Sequence, residues 1–175
     1  PDYELSTEKA RQALPRELPY KDAVYNVSRV GLLPAAMNPV VLAQAAQQGK
    51  SGVAAAPAQD ADTCACSGGT RESAFADELA AAQAQSNALL FTATQDKLHQ
   101  PYRGALMPPS TELIALFRSK GYAAAVSGAG PCVLVLHYGN AREAIDQIAS
   151  EQLASGHWRV LHLPINTAGV EIERR

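Results

Sequence analysis

Apolar side chains recur along this chain at steps of three and four in some stretches and as short unbroken runs in others, and the two patterns divide it into helices and strands. Over residues 21–36, Val24, Val27, Gly31 and Ala35 fall at helical spacing while Asp22, Asn26 and Arg29 lie on other faces. This pattern predicts an amphipathic helix, kinked or finished near Pro34. Leu113, Leu116 and Phe117 form a second stripe, with Ser110 as its N-cap and Gly121 placed to stop it in the left-handed conformation. A third stripe, Ala141, Ile145, Ile148 and Leu153, begins at a capping-box-like Asn140 and Glu143 and ends at Gly156. Leu90, Ala93, Thr94, Lys97 and Leu98 predict a helix over residues 87–98, closed by Pro101, and alanine propensity alone favours helix over residues 72–84. Near the start, Ser6 or Thr7 caps a short helix over residues 8–14, which Pro15 ends.

The unbroken apolar runs at residues 122–126 and 132–137 read as two strands joined by the tight segment 127–131. Residues 3–6, 158–163 and 170–173 also have strand character. Strands and helices in this order predict an α+β domain of the split βαβ, ferredoxin-like kind, an antiparallel sheet with helices on one face. Between these patterned regions, residues 38–85 change character. The stretch GKSGVAAAPAQDADTCACSGGT is small, polar and turn-rich, so we read a flexible insertion at about 38–85, most mobile over residues 49–70.

Composition narrows the function classes. The 175 residues suffice for one core, and we expect one domain over residues 1–175. With 15 basic and 17 acidic side chains the formal charge is −2, which lacks the positive excess that a nucleic-acid backbone requires. There is neither a bilayer-length apolar run nor a signal-peptide pattern at the start, so the expectation is a cytoplasmic protein with no membrane partner. The chain opens at Pro1 in strand-like residues, as a cut through a longer protein would. Cys64 and Cys66 form a lone CxC, weak evidence for zinc, and the four histidines show no ligand spacing, so no metal site is predicted. Cys132, at the head of an apolar strand, reads as a small buried hydrophobe.

Two features carry candidate chemistry. Ser127, Gly128, Ala129, Gly130 and Pro131 place two glycines, a hydroxyl and a proline in one strand-to-strand join, more often a plain hairpin connection than a ligand site, with a nest of backbone N–H groups for a phosphate as the alternative. No GxxxxGK[ST] or GxGxxG motif occurs, so phosphate chemistry here is neither P-loop nor Rossmann in style. Arg11 and Arg103 are either solvated surface arginines or bidentate anchors for a carboxylate, and Arg103 lies in the turn-rich HQPYRG stretch. His99 beside it reads as a partly buried histidine, with acid–base or anion-binding work as the alternative.

Three stretches in order, YELSTEKARQALP, DKLHQPYRGALMP and AVSGAGPCVLVL, resemble the homoserine kinase family of the GHMP kinase superfamily. SGAGP points only to the superfamily, whereas LST-x-x-x-R together with HQPYR points to the family. The resemblance extends to YKDAVYNVSRVGLL and LPINTAGVEIE, covering nearly all the chain outside the insertion. It implies the carboxyl-terminal domain of an enzyme that moves the γ-phosphoryl of ATP to the hydroxyl of L-homoserine, giving O-phospho-L-homoserine on the route to threonine, with Mg2+ beside the nucleotide. It also implies that Arg11 and Arg103 hold the substrate carboxylate with Thr7 close by, and that the loop Ser127, Gly128, Ala129 and Gly130 braces the phosphate site. The second signature, which wraps the ATP phosphates, is missing, so the resemblance implies a separate amino-terminal ATP-binding domain as partner. No cofactor tightly bound to this part and no activity from it alone are expected, self-association remains open, and no catalytic residue is assigned. Another GHMP enzyme, such as a mevalonate-pathway kinase, and a small-molecule binding module remain as alternatives.

Overall fold

The computed structural model describes residues 1–38 and 70–163. The short helix α1 (Thr7–Gln12) starts where Ser6 Oγ accepts from the Lys9 N–H, one of the donors that a helix start leaves unpaired. Helix α2 (Tyr20–Val30) stops at Gly31, and the one-turn α3 (Leu33–Ala36) follows with Pro34 in its first turn, so the predicted helix over residues 21–36 is two pieces. Helix α4 (Thr70–Ala93) is long and continuous. It bears out the helix expected over residues 72–84 and corrects two expectations: residues 70–85, read as part of a flexible insertion, are helical, and the helix predicted over residues 87–98 is the end of α4 and stops five residues early. The rest of the predicted mobile stretch, with Cys64 and Cys66, lies outside the described residues.

After α4 come the single turn α5 (Gln100–Arg103), a 3-10 turn (Gly104–Leu106) and α6 (Pro108–Ser119). Pro108 and Pro109 supply the first helical positions of α6, so Ser110 lies inside the helix, fully buried, and is not its cap. Gly121 at φ +85° turns the chain out of α6 as the sequence predicts. Strands β1 (Ala123–Val126) and β2 (Val133–Leu136) pair antiparallel, with Ala123 opposite Leu136 and Val126 opposite Val133. Helices α7 (Arg142–Ile148) and α8 (Ser150–Ala154) follow, and Gly156 at φ +77° ends the second.

The side chains of β1 alternate between two cores, because successive residues of a strand point to opposite faces. Ala124 packs with Leu113, Ile114 and Phe117 of α6 and with Ala149, and Val133, Val135 and Ile145 lie against that cluster. Ala123 packs with Ala36 of α3 and Leu90 of α4, alongside Leu136. Helices therefore cover both faces of the hairpin, where the sequence reading put them on one. The class is α+β, mostly helical, but among the described residues the sheet has two strands. Residues 158–163 form no strand, and neither do residues 3–6, because a strand exists only through a hydrogen-bonded neighbour and neither segment has one among the described residues. The strand predicted at residues 170–173 lies outside the described residues.

Helix α2 reverses the orientation that its apolar stripe implies. Val24 and Val27 are 48% and 74% exposed. The helix instead meets the protein through polar side chains: the Tyr25 hydroxyl donates to Gln95 Oε1, Arg29 Nε donates to the same oxygen at 3.2 Å, and Asn26 reaches Asp96. Cys132 is also exposed, because β2 begins at Val133 and the cysteine stays in the turn, its carbonyl accepting from the Ser127 N–H at 2.8 Å.

Candidate functional site

Arg103 connects the three stretches singled out in the sequence. It is the last residue of α5, and its half-buried side chain reaches back across the molecule. Arg103 Nε donates to the Ala10 carbonyl of α1 at 3.1 Å, and Nη1 donates to the Gly128 carbonyl at 3.5 Å. Both bonds go to neutral carbonyls, and its remaining N–H donors have no partner among the described residues. It lines a cleft of about 340 Å³ with Asp96, His99, Gln100, Val126 and Gly128.

The glycine join is a tight turn that Ser127 and Gly130 close on themselves. The Gly130 N–H donates to the Ser127 carbonyl at 3.1 Å and the Ser127 N–H to the Cys132 carbonyl. This leaves the N–H groups of Gly128 and Ala129 without a partner among the described residues. The turn needs its glycines for two reasons. Gly128 and Gly130 stand at φ +63° and +89°, where side chains are disfavoured, and a Cβ on Gly130 would sit 2.6 Å from Met107 Sδ. The Gly130–Pro131 bond is cis. Beneath the turn, buried Ser110 Oγ donates to the Pro131 carbonyl and bonds the Tyr3 hydroxyl at 2.7 Å.

The loop before Arg103 is organised by Asp96, which the sequence reading passed over as one acid in a helix-like stretch. Its carboxylate accepts from the backbone N–H groups of Leu98 at 3.0 Å, His99 at 2.8 Å and Gln100 at 2.5 Å, and from Asn26 Nδ2 at 2.6 Å. Burial by itself would raise the Asp96 pKa, but these donors outweigh it and bring it down to about 2. The Gln100 side chain then accepts from the Val126 N–H at 3.1 Å, fastening the loop to the end of β1.

The other predicted residues are less engaged. Thr7 and Arg11 sit exposed on α1, and Arg11 neighbours the Ala10 carbonyl that Arg103 grips, yet neither lines the cleft. Ser127 and Gly128 are exposed, while Ala129 and Gly130 are half-buried. His99 is exposed, with Nδ1 3.4 Å from Asp96 Oδ1. A larger cavity of about 470 Å³ shares Asp96, Gln100 and Val126 with the cleft and contains Arg118. Arg118 is structural: Nη1 donates to Ala124 O and Thr94 Oγ1, Nη2 donates to Phe91 O at the end of α4, and the guanidinium lies 4.3 Å over the Phe91 ring. Among the described residues no group of three or more His, Cys, Asp or Glu side chains is placed to hold a metal ion, and no helix is long and apolar enough to cross a membrane.

The family model described as GHMP kinases C terminal matches residues 73–154, which include α5, Arg103, the glycine turn and both strands. The chain carries a GHMP kinase C-terminal domain. Proteins named homoserine kinase are similar to it over nearly its whole length: that of Leifsonia xyli subsp. xyli is 33% identical over 176 residues, 99% of this chain and 40% of the relative. The homoserine kinase of Clavibacter michiganensis subsp. michiganensis is 32% identical over 171 residues, 97% of this chain and 39% of the relative. That of Corynebacterium kroppenstedtii is 29% identical over 176 residues, 100% of this chain and 40% of the relative. The chain spans about 40% of the length of the curated relatives it matches.

Proposed function

We propose that this chain is the substrate-binding part of a homoserine kinase, which transfers the γ-phosphoryl of ATP to the side-chain hydroxyl of L-homoserine. The observation that carries this reading is the Arg103 bridge. One guanidinium, held by the Ala10 and Gly128 carbonyls, stands between α1 and the glycine turn and keeps free donors beside a cleft. A planar fork of this kind suits the α-carboxylate of an amino acid, and two parallel N–H bonds would fix both the position and the orientation of the substrate.

The division of labour follows from that anchor. Arg103 holds the carboxylate, with Arg11 and Thr7 on the neighbouring face of α1 as further contacts for the amino-acid backbone. The Gly128 and Ala129 N–H groups supply neutral, fixed dipoles toward a phosphate oxygen, a small-scale version of an anion nest. ATP, when bound, supplies the phosphoryl group, and its phosphate-wrapping loop belongs in this reading to an amino-terminal domain. In this reading Mg2+ enters with the nucleotide, and among the described residues no group of carboxylates is placed to hold it. What these residues contribute is positioning, the largest part of catalysis in a transfer that needs little covalent help from the protein.

The test is kinetic. Full-length protein should phosphorylate L-homoserine in preference to mevalonate, and Arg103→Ala should lower kcat/KM roughly a hundredfold, the effect of losing a bidentate contact worth about 2–3 kcal/mol. Preference for mevalonate, or an Arg103→Ala enzyme with undiminished kcat/KM, would overturn the reading.

A further inference from the structure

We propose that Asn26 and Asp96 form a positioning bracket that sets where Arg103 stands relative to its carboxylate ligand. The inference rests on the functional reading above and adds two residues to it, one of which, Asp96, also lines the cleft.

The bracket is reciprocal. Asn26 Nδ2 donates to Asp96 Oδ1 at 2.6 Å, and Asn26 Oδ1 accepts the Lys97 N–H at 2.8 Å, so one amide of α2 holds both the side chain of residue 96 and the backbone of residue 97. Asp96, only 14% exposed at its side chain, passes that fixity forward by accepting the N–H groups of Leu98, His99 and Gln100. These are donors at the start of α5, a helix of one turn that could not persist by its own hydrogen bonds. The His99 carbonyl accepts the Arg103 N–H at 3.1 Å, closing that turn and placing the guanidinium between Ala10 and Gly128. A continuous chain of hydrogen bonds thus runs from α2 through Asp96 and His99 to Arg103.

The surroundings support a dedicated fixture over an incidental contact. Helix α2 leaves Val24 and Val27 in solvent and turns Tyr25, Asn26 and Arg29 toward residues 95–96. An arginine anchor displaced by an ångström loses a large share of its effect on a bound substrate, so residues that lock its backbone act on substrate binding through it.

Asp96→Asn in the full-length protein keeps the size of the side chain and exchanges one acceptor oxygen for a donor that faces backbone N–H groups. We expect the KM for the amino-acid substrate to rise roughly tenfold or more, and Asn26→Ala to do the same. In an Arg103→Ala background both substitutions should change KM less than about twofold, since residues acting through one anchor are not additive. Additive effects in that background would overturn the bracket. Two NMR readouts need no turnover: amide exchange at Leu98, His99 and Gln100 should accelerate, and the Arg103 Nε–H resonance should shift in both variants. Should wild-type protein not accept homoserine, the functional reading falls by itself, and an Arg103 resonance unmoved by either substitution separately overturns the bracket. Asn26→Ala, made on a helix surface, serves if Asp96→Asn does not fold.

Discussion

Tyr3 and Ser110, separated by 107 positions in the chain, share a hydrogen bond of 2.7 Å whose direction is fixed by chemistry. Ser110 has one hydroxyl proton and spends it on the Pro131 carbonyl, so the Tyr3 hydroxyl is the donor to Ser110 Oγ. The relay ties the first residues to α6 and to the base of the glycine turn. Ser110→Ala should destabilise by about 1–3 kcal/mol because it strands a buried carbonyl, whereas Tyr3→Phe should cost only about 1 kcal/mol. Denaturant titration of the two variants and the double mutant checks this, with the pair expected to be less than additive.

The two glycines of the turn should differ in tolerance. Both have positive φ, so alanine at either carries a conformational cost of about 1–2 kcal/mol. At Gly128 nothing lies within 4 Å of the new Cβ, and the cost ends there. At Gly130 the Cβ would overlap Met107 Sδ, itself fully buried, adding roughly 1–3 kcal/mol of overpacking. Thermal melts should rank wild type above Gly128→Ala and Gly128→Ala above Gly130→Ala.

Acid should unfold the Asp96 loop in a defined window. With its folded pKa lowered to about 2 from the ordinary 3.8, ionised Asp96 stabilises the protein at all pH values above about 4. That contribution disappears as pH falls from about 4 to about 2, because protonation removes acceptors from Asn26 and the backbone. Its size is about 1–2 kcal/mol after allowance for partial solvent exposure. Asn26→Ala removes one stabilising donor, so the acid midpoint of unfolding, followed by circular dichroism, should move to higher pH.

Arg118 should prove structural and not catalytic. Its N–H groups satisfy Phe91 O, Ala124 O and Thr94 Oγ1, a geometry that the point charge of lysine cannot reproduce. Arg118→Lys should lower stability by about 1–3 kcal/mol and leave substrate KM unchanged, as steady-state kinetics on the full-length protein will show.

Arg11 and Arg103 should separate when stability is measured. Arg103 bonds two backbone carbonyls, whereas the exposed Arg11 side chain on α1 has no hydrogen bond or ion pair among the described residues, so Arg103→Ala should cost about 1–3 kcal/mol and Arg11→Ala within about 0.5 kcal/mol. In the functional reading both variants raise substrate KM. Chemical denaturation beside kinetics distinguishes the two roles.

What the sequence by itself determined was local. The Ser6 cap, the left-handed glycines at 121 and 156, and the hairpin at β1 and β2 each depend on a few adjacent residues, and the structure has them within a residue of their predicted places. The Arg103 and SGAGP stretches were likewise visible as candidates, although their meeting through the Gly128 carbonyl was not. Tertiary structure decided the rest because the deciding partners lie far along the chain. Asp96 reads as one more acid in a helix-like stretch until Asn26, seventy positions earlier, is seen to hold it. The α2 stripe predicts which face is apolar but not which face is turned inward, and here the polar hydrogen bonds to residues 95–96 prevail over Val24 and Val27. Periodicity also cannot say whether a strand will find a neighbour, and residues 158–163 keep strand-like side chains without a ladder to join among the described residues, because pairing is a property of two segments, not one.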